Sequence, residues 1–211
     1  TWLLSIKLSD HTINQILFTF RIVLREAVWQ NLIHDNPAEK VEQFKVEYNK
    51  RDCLTDNEVN ALFPENDDDF IKIWKNFSVG TLCYFLLTTG MRHGEARALK
   101  WSDINFDNKV VDITKSVKNN GTIGTTKNGR SRLSFMTPRT ALMLNKLRDS
   151  SDFASDNDFI FTVNGQNPYW DTHARKYFFH ALKQAKIPPD KKIVIHSLRH
   201  TFITLCSKKN I

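Results

Sequence analysis

The sequence of 211 residues is 41% hydrophobic and 25% charged, with a formal net charge of +7, which is typical of a globular protein with one or two cores. It contains no apolar run of 18 residues and no signal-peptide pattern, and its three cysteines are widely separated, so it predicts no membrane span, secretion, disulfide framework or zinc site. We therefore expect a cytoplasmic protein. Because the sequence starts without methionine and ends within a helical pattern, we also expect it to be part of a longer chain.

Charge and periodicity divide the chain into two parts. Residues 1–53 contain seven basic and seven acidic residues, whereas residues 54–211 hold the entire net charge of +7. In the first part, apolar residues recur at three- and four-residue spacing over residues 9–33, which predicts an amphipathic helix. A charged connector follows over residues 41–51, so we expect one domain at 1–53 and a second at 54–211.

The second part begins with a helical pattern. Thr55 and Glu58 have the spacing of a capping box. Residues 64–69 form an acidic stretch that we expect to be an exposed loop, and residues 70–89 read as one long helix or two short ones. Gly90 is predicted to end this helix, because glycine readily adopts the left-handed conformation found after a helix end.

Arg92 follows that helix end and precedes a short helical segment at 95–99. A guanidinium held between two packed helices is suited to bidentate binding of a phosphate. The simpler alternative is an ion pair with Glu95, three residues further along, which stabilises a helix by only about 0.2–0.5 kcal/mol. Both interpretations remain open at this point of the chain.

The period then changes to that of strands. Three segments read as strands: 109–114, 121–127 and 131–135. Asn128-Gly129 predicts a hairpin turn between the last two. Helical patterns occupy the rest of the chain, at 140–148, at 171–185 and from about His196 onward. The sequence therefore predicts a mainly α fold with one small antiparallel β-sheet, of the α+β class.

The predicted strands lie in the most basic part of the chain. Between residues 109 and 139, seven lysines and arginines accompany a single aspartate. Such a concentration of charge is typical of a surface that binds a polyanion, although a solvated basic loop has the same composition. Four residues of this part are candidate contacts to that polyanion: Lys115, Lys118, Arg130 and Arg132.

Four separated residues have the chemistry for phosphoryl transfer without a metal. Arg92 and Arg199 are able to bind the two free oxygens of one phosphodiester, and Lys127 or His196 has a proton for a leaving oxygen. His196 and Arg199 share one face of a helix start that favours an anion. No cluster of Asp and Glu is spaced to hold magnesium, so we expect no metal and no other cofactor.

Two other assignments compete with this one. Lys115 and Lys118 are alternatives to Lys127 as the catalytic lysine, and Lys127 is favoured because a hairpin tip is able to swing into a cleft. His196 and His200 have the four-residue spacing of a metal-binding pair, but the sequence indicates no third ligand.

Three motifs, in this order and at these separations, closely resemble the tyrosine recombinases of the phage-integrase family: TTGMRHGEARALKWSDI, TTKNGRSRLSF and HSLRHTF. The resemblance covers residues 54–211, and residues 9–50 resemble the last part of that family's helical core-binding domain. It implies a site-specific recombinase or integrase of a phage or other mobile element. Such an enzyme cleaves DNA through a 3′-phosphotyrosyl bond, releases a 5′-hydroxyl, and then rejoins the strands.

The resemblance also assigns roles. Arg92 and Arg199 match the family's two catalytic arginines, Lys127 its general acid, and His196 its catalytic histidine. Glu95 matches the structural partner of the first arginine. The implied partner is double-stranded DNA, on which the family assembles as a homotetramer, and the implied location is the nucleoid of a bacterium.

The family's nucleophilic tyrosine is the feature that this sequence lacks at the expected place. In the family it follows the second arginine by a few tens of residues. All the tyrosines of this chain precede Arg199: Tyr48, Tyr84, Tyr169 and Tyr177. We therefore expect these 211 residues to bind DNA without cleaving it. The alternatives are a non-catalytic DNA-binding relative that regulates recombination and an enzyme similar to type IB topoisomerases.

Overall fold

A computed structural model of the protein describes residues 8–46, 52–118, 120–126, 129–169 and 171–209. The chain forms two compact units, Thr1–Lys50 and Arg51–Ile211. Within the described ranges, no helix is both long enough and apolar enough to cross a membrane.

The first unit is built on helix α1 (Asp10–Trp29), which Ser9 caps by accepting a hydrogen bond from a first-turn amide. The helix ends earlier than the predicted residue 33, because Asn31 has a left-handed φ of 56°. Arg21 donates a hydrogen bond of 2.9 Å to a carbonyl of the 3₁₀ turn Pro37–Lys40 and so holds this turn against the helix. The assignment of this part of the chain to a core-binding domain stays a prediction.

The second unit is mainly helical. Its helices in the described residues are α2 (Asp56–Leu62), α3 (Asp67–Trp74), α4 (Phe77–Thr89), α5 (His93–Arg97), α6 (Pro138–Asp149), α7 (Asp171–Gln184) and α8 (Ile195–Lys208). The capping box predicted before α2 is confirmed. The amide of Glu58 donates to the hydroxyl of Thr55 (3.3 Å), and the amide of Thr55 donates to the carboxylate of Glu58 (2.7 Å). This reciprocal pair determines where α2 begins.

The acidic stretch 64–69 is not a loop throughout, so that prediction is wrong in its second half. Residues 67–69 form the first turn of α3, and the side chain of Asn66 accepts hydrogen bonds from two amides of that turn (3.0 and 3.2 Å). Carboxylates are favourable at this position because the helix N-terminus has partial positive charge. Helices α3 and α4 are separate, and Lys75 ends the first of them with a left-handed φ of 52°.

Helix α4 lies at the centre of the core of the second unit. It packs against α3, α6, α7 and α8, and residues 79–83 and 85–87 are buried. A helix buried on most of its circumference shows no amphipathic period, which explains the continuous apolar run in its sequence. The helix ends at Gly90, whose φ of 61° confirms the prediction. Arg92 therefore leaves the core at a fixed position.

The strands of the second unit form two small antiparallel sheets, whereas the sequence predicted one. The strands are β1 (Ile104–Asn105), β2 (Val110–Ile113), β3 (Lys115–Val117), β4 (Ile123–Thr125) and β5 (Arg132–Phe135). One sheet has the order β1–β2–β5, and the other pairs β3 with β4. The predicted fold class, mainly α with small antiparallel β structure, is confirmed.

The predicted hairpin between β4 and β5 is wrong, because β5 pairs with β2 and β4 pairs with β3. The hairpin turn lies instead between β3 and β4, where the amide of Gly121 (φ 82°) donates to the carbonyl of Lys118 (2.9 Å). Asn128 of the predicted turn lies outside the described residues. Val111 and Ile113 of β2 are fully buried, so the burial of β2 outweighs the local turn signal in selecting the partner of β5.

Candidate active site

A cleft of about 500 Å³ opens where α5, α7, the start of α8 and the β3–β4 hairpin meet. Its lining is strongly basic, with the side chains of Arg92, His93, Arg97, Lys118, Arg175 and His196. Among the described residues that line it, only Asp171 has a carboxylate side chain. A concave site with this charge attracts an anion.

Arg92 lies at the mouth of the cleft because it is the residue that caps α5. Its backbone is extended (φ −75°, ψ 145°), and its amide donates a hydrogen bond to Glu95 Oε2 (2.9 Å). Its Nη1 donates to Glu95 Oε1 (3.1 Å), while the side chain stays 37% exposed. The guanidinium is thus fixed at one edge and keeps donors available on the other.

Glu95 is the carboxylate that positions this arginine, and its side chain is only 1% exposed. Arg132 of β5 binds the same carboxylate with two hydrogen bonds, of 3.0 and 2.5 Å. Burial alone would raise the pKa of Glu95, but the hydrogen bonds from Arg132 and Arg92 lower it below its usual value. An ionised Glu95 therefore holds two guanidinium groups side by side.

Helix α8 brings the HSLRHTF motif to the same place. Arg199 donates a hydrogen bond to the carbonyl of Gly90 and so ties α8 to the end of α4. Burial lowers the pKa of Arg199, and the positive charge of Arg92 lowers it further. One turn earlier, His196 lines the cleft, with its ring edge-on to that of His200 at 4.9 Å between centroids. The structure therefore brings Arg92, His196 and Arg199 together.

The structure describes some of the basic candidates and places one of them in the cleft. Lys127 lies outside the described residues, so its predicted role stays a prediction. Lys118 follows β3, lines the cleft, and extends its side chain across Gly124 of the facing strand. Lys115, at the start of β3, is exposed, and Arg130 is exposed after the turn. Of the described basic candidates on this hairpin, Lys118 is the one placed in the cleft.

Sequence reasoning missed a second group of charged residues in the cleft. Asp171, the first residue of α7, lies 3.1 Å from His93 Nδ1 and accepts a hydrogen bond of 2.5 Å from Arg175 Nε. The hydrogen bond with His93 lowers the pKa of Asp171, and burial opposes it. Arg97, at the end of α5, completes the group. The four-residue spacing of the pairs 93/97 and 171/175 was visible in the sequence, but their proximity in the fold was not.

The described tyrosines are not among the residues that line the cleft. Tyr84 packs against Phe63, and the guanidinium of Arg139 lies over its ring at 4.6 Å. Tyr169 is 5% exposed, and burial raises the pKa of its phenol. Tyr177 packs against His173, with ring centroids 5.3 Å apart. Tyr48 lies outside the described residues. In the described part of the chain, no group of three or more His, Cys, Asp or Glu side chains is arranged to hold a metal ion.

Comparison with known proteins gives a consistent result. The model of the phage integrase family matches residues 52–211. The integrase of Staphylococcus phage L54a is 31% identical over an alignment of 137 positions, which covers 58% of this chain and 38% of that protein. The Tn1549 transposon integrase, solved with a circular intermediate DNA, superposes with a TM-score of 0.80 at 19% identity, covering 98% of this chain and 70% of that one. A lambda integrase dimer bound to a COC′ core site superposes with a TM-score of 0.69 at 18% identity, covering 95% and 68%.

Proposed function

The chain belongs to the phage integrase family, and from this premise we propose that residues 51–211 are the catalytic part of a site-specific DNA recombinase. The chain spans 38% of the length of the L54a phage integrase that it matches, so the activity of the whole protein is part of this proposal. The relatives reported above are integrases, which does not favour a regulatory DNA-binding protein or a topoisomerase-like enzyme.

The observation that carries the proposal is the convergence of Arg92 and Arg199 beside the buried carboxylate of Glu95. Each guanidinium has one fixed edge, on Glu95 for Arg92 and on the carbonyl of Gly90 for Arg199. The remaining donors bind the two non-bridging oxygens of the scissile phosphate. They stabilise the charge that develops on these oxygens in the transition state, with little reorganisation of the site.

Proton transfer completes the chemistry. A tyrosine hydroxyl loses its proton to solvent as its oxygen forms a bond to phosphorus, the bond from phosphorus to the 5′-oxygen breaks, and the leaving oxygen takes a proton from a lysine. Lys127 is the family's candidate for this lysine and Lys118 is the described alternative. His196 lines the cleft near the same phosphate. Because the described tyrosines are not among the residues that line the cleft, we assign the nucleophile to the tyrosine that the family carries after its second arginine.

The binding step is testable with the 211-residue chain and a labelled duplex of 20 base pairs. Because several phosphates are neutralised, the affinity should fall roughly tenfold or more between about 50 and 200 mM salt. Arg92→Met should weaken binding at low salt. Arg148→Met is the matched control, because Arg148 also donates to a carboxylate, that of Asp156 (3.1 Å), but is not part of the cleft lining. An affinity that does not change with salt would contradict the proposal.

The cleavage step is testable with a nicked suicide substrate and a denaturing gel. The 211-residue chain should form no covalent protein–DNA band, whereas a longer chain with the family's tyrosine should form one. A covalent band from the 211 residues would identify one of their own tyrosines as the nucleophile and would overturn the assignment. We further expect the longer protein to assemble as a homotetramer on two duplexes in the bacterial nucleoid.

A further inference from the structure

Arg97 is a buried cation that the cleavage chemistry described above does not use. The residue is only 7% exposed, yet it lines the cleft. Its Nε donates a hydrogen bond of 2.6 Å to the carbonyl of Tyr169. Its two terminal nitrogens have no hydrogen-bond partner among the residues that the structure describes. A guanidinium whose remaining donors face a cleft is able to bind an anion from outside the chain.

The nearby carboxylate does not neutralise Arg97. Asp171 is already bound by Arg175 (2.5 Å) and His93 (3.1 Å), and no ion pair within 4 Å joins it to Arg97 in the described structure. Burial lowers the pKa of Arg97, and the charge of Asp171 opposes that shift. Because a guanidinium remains charged at any physiological pH, this side of the cleft has more positive than negative charge.

The Arg97 group is distinct from the Arg92 group. Arg92 shares the Glu95 carboxylate with Arg132, whereas Arg97 lines the cleft together with Asp171, which pairs with His93 and Arg175. Arg92 and Arg97 are five residues apart along α5, which corresponds to roughly 7 Å along the helix axis. Each guanidinium is held by its own partner, Glu95 for Arg92 and the Tyr169 carbonyl for Arg97. The cleft therefore offers two separate positions for an anion.

We propose that Arg97, supported by Arg175, forms a second phosphate site in the cleft, which binds another backbone phosphate of the DNA whose scissile phosphate lies at Arg92. Lys118 lines the same cleft from the β3–β4 hairpin and extends this site. The second phosphate fixes the direction of the strand relative to the first, because two fixed points orient a rigid backbone where one does not. This inference rests on the proposed function.

The test uses the 211-residue chain with two probes, inorganic phosphate and a labelled duplex of 20 base pairs. Arg97→Met is compared with Arg148→Met, the matched control that also loses an arginine bound to a backbone carbonyl. Both substitutions should lower the melting temperature without phosphate. Only Arg97→Met should raise the phosphate concentration needed for half-maximal thermal stabilisation, by about tenfold, and reduce the salt slope of duplex binding by about one unit.

Arg175→Met repeats the test at a residue whose side chain is 62% exposed and whose loss leaves the core intact. It frees Asp171 to pair with Arg97, so it should also raise the phosphate midpoint. Wild-type phosphate midpoints and salt slopes in both variants would overturn the second site while leaving the proposed function standing. A flat salt dependence of the wild-type chain, with phosphate stabilisation that still requires Arg97, would instead overturn the proposed function and retain the anion site.

Discussion

Two carboxylates organise the charges around the cleft, and they differ in how deeply they are buried. The side chain of Glu95 is 1% exposed and that of Asp171 is 41% exposed. Each binds two basic side chains: Arg92 and Arg132 for the first, His93 and Arg175 for the second. The same kind of ion pairing is therefore present at a buried carboxylate and at a partly solvent-exposed one.

Because they differ in burial, the two carboxylates affect their basic partners differently. A buried carboxylate that loses its charge leaves its partners unsatisfied, which is strongly destabilising. A partly exposed one is screened by water, and its ion pairs contribute little. We infer that the Glu95 group fixes the position of Arg92 in the phosphate clamp, which Arg92 and Arg199 form together. The Asp171 group instead tunes how much positive charge Arg97 presents to an anion.

The largest expected effect comes from removing the clamp that Glu95 positions. In a longer protein that includes the nucleophile, Arg92→Ala or Arg199→Ala should lower the rate of strand cleavage by about a hundredfold or more, as loss of a transition-state donor does. Arg→Lys should restore only part of the rate, because the planar fork is lost. Single-turnover cleavage of a suicide substrate measures this. An unchanged rate in either alanine variant would contradict the role assigned to that arginine.

A second substitution tests which lysine works with this clamp. Replacing the proton donor by alanine should slow cleavage by about a hundredfold, and a bridging 5′-phosphorothiolate should restore much of the rate because its sulfur leaves without a proton. We expect this rescue for Lys127→Ala. Rescue in Lys118→Ala instead would assign the proton transfer to the lysine that the structure places in the cleft.

The third prediction compares the two carboxylates directly by stability. Glu95→Gln should lower the free energy of unfolding by about 3 kcal/mol, because Arg132 and Arg92 keep their charges without the buried anion. Asp171→Asn should lower it by less than about 1 kcal/mol, since that pair is partly exposed. Denaturant unfolding of both variants measures the difference. Equal losses in the two variants would show that burial does not separate the two groups.

The pH dependence of unfolding sharpens the same comparison. Hydrogen bonds lower the pKa of Glu95 in the folded chain despite its burial, so its ionised form stabilises the fold above its unfolded pKa of about 4.3. This contribution is lost as the pH falls through the lower folded pKa. The stability difference between wild type and Glu95→Gln should therefore shrink below about pH 4. A difference that stays constant down to pH 3 would contradict this.

The smallest effect has the opposite sign. Asp171→Asn removes the negative charge nearest to Arg97, so it should strengthen phosphate and duplex binding by a few-fold, whereas Glu95→Gln should weaken duplex binding. Titration of the labelled duplex at low salt measures both. Weaker duplex binding by Asp171→Asn would mean that Asp171 positions the cleft rather than tunes its charge.

Local signals in the sequence predicted the parts of the site that lie within one turn of each other. The capping box at Thr55, the helix end at Gly90 and the three-residue spacing of Arg92 and Glu95 all depend on near neighbours. The predicted DNA contact of Arg132 stays a prediction, but sequence reasoning missed its bond to Glu95, 37 residues away. That contact depends on the pairing of β5 with β2, and the sequence favoured a different partner for β5.

The second charge group was outside the reach of sequence reasoning for the same reason. Asp171 starts one helix and His93 starts another, and only the packed core brings them to 3.1 Å. Helix-end electrostatics also changed one local prediction. Residues 67–69 were expected in a loop because they are acidic, but they supply the favourable first turn of α3. Tertiary packing therefore determines the contact between Asp171 and His93, and helix-end electrostatics favours the helical first turn at residues 67–69. Composition alone predicted neither.

The bond from Arg199 to the Gly90 carbonyl spans 109 residues of chain, and this separation determines when during synthesis the clamp forms. A side chain at position 90 would strike the ring of Phe202, so the same glycine also admits α8 to its place. Contacts between residues so far apart form late, because the loop between them must close first. A nascent chain that has emerged only through β5 contains Arg92, Glu95 and Arg132 but not Arg199, so it has only one of the two arginines that bind the phosphate. Competence to hold DNA in the cleft therefore arises only after α8 has left the ribosome and docked.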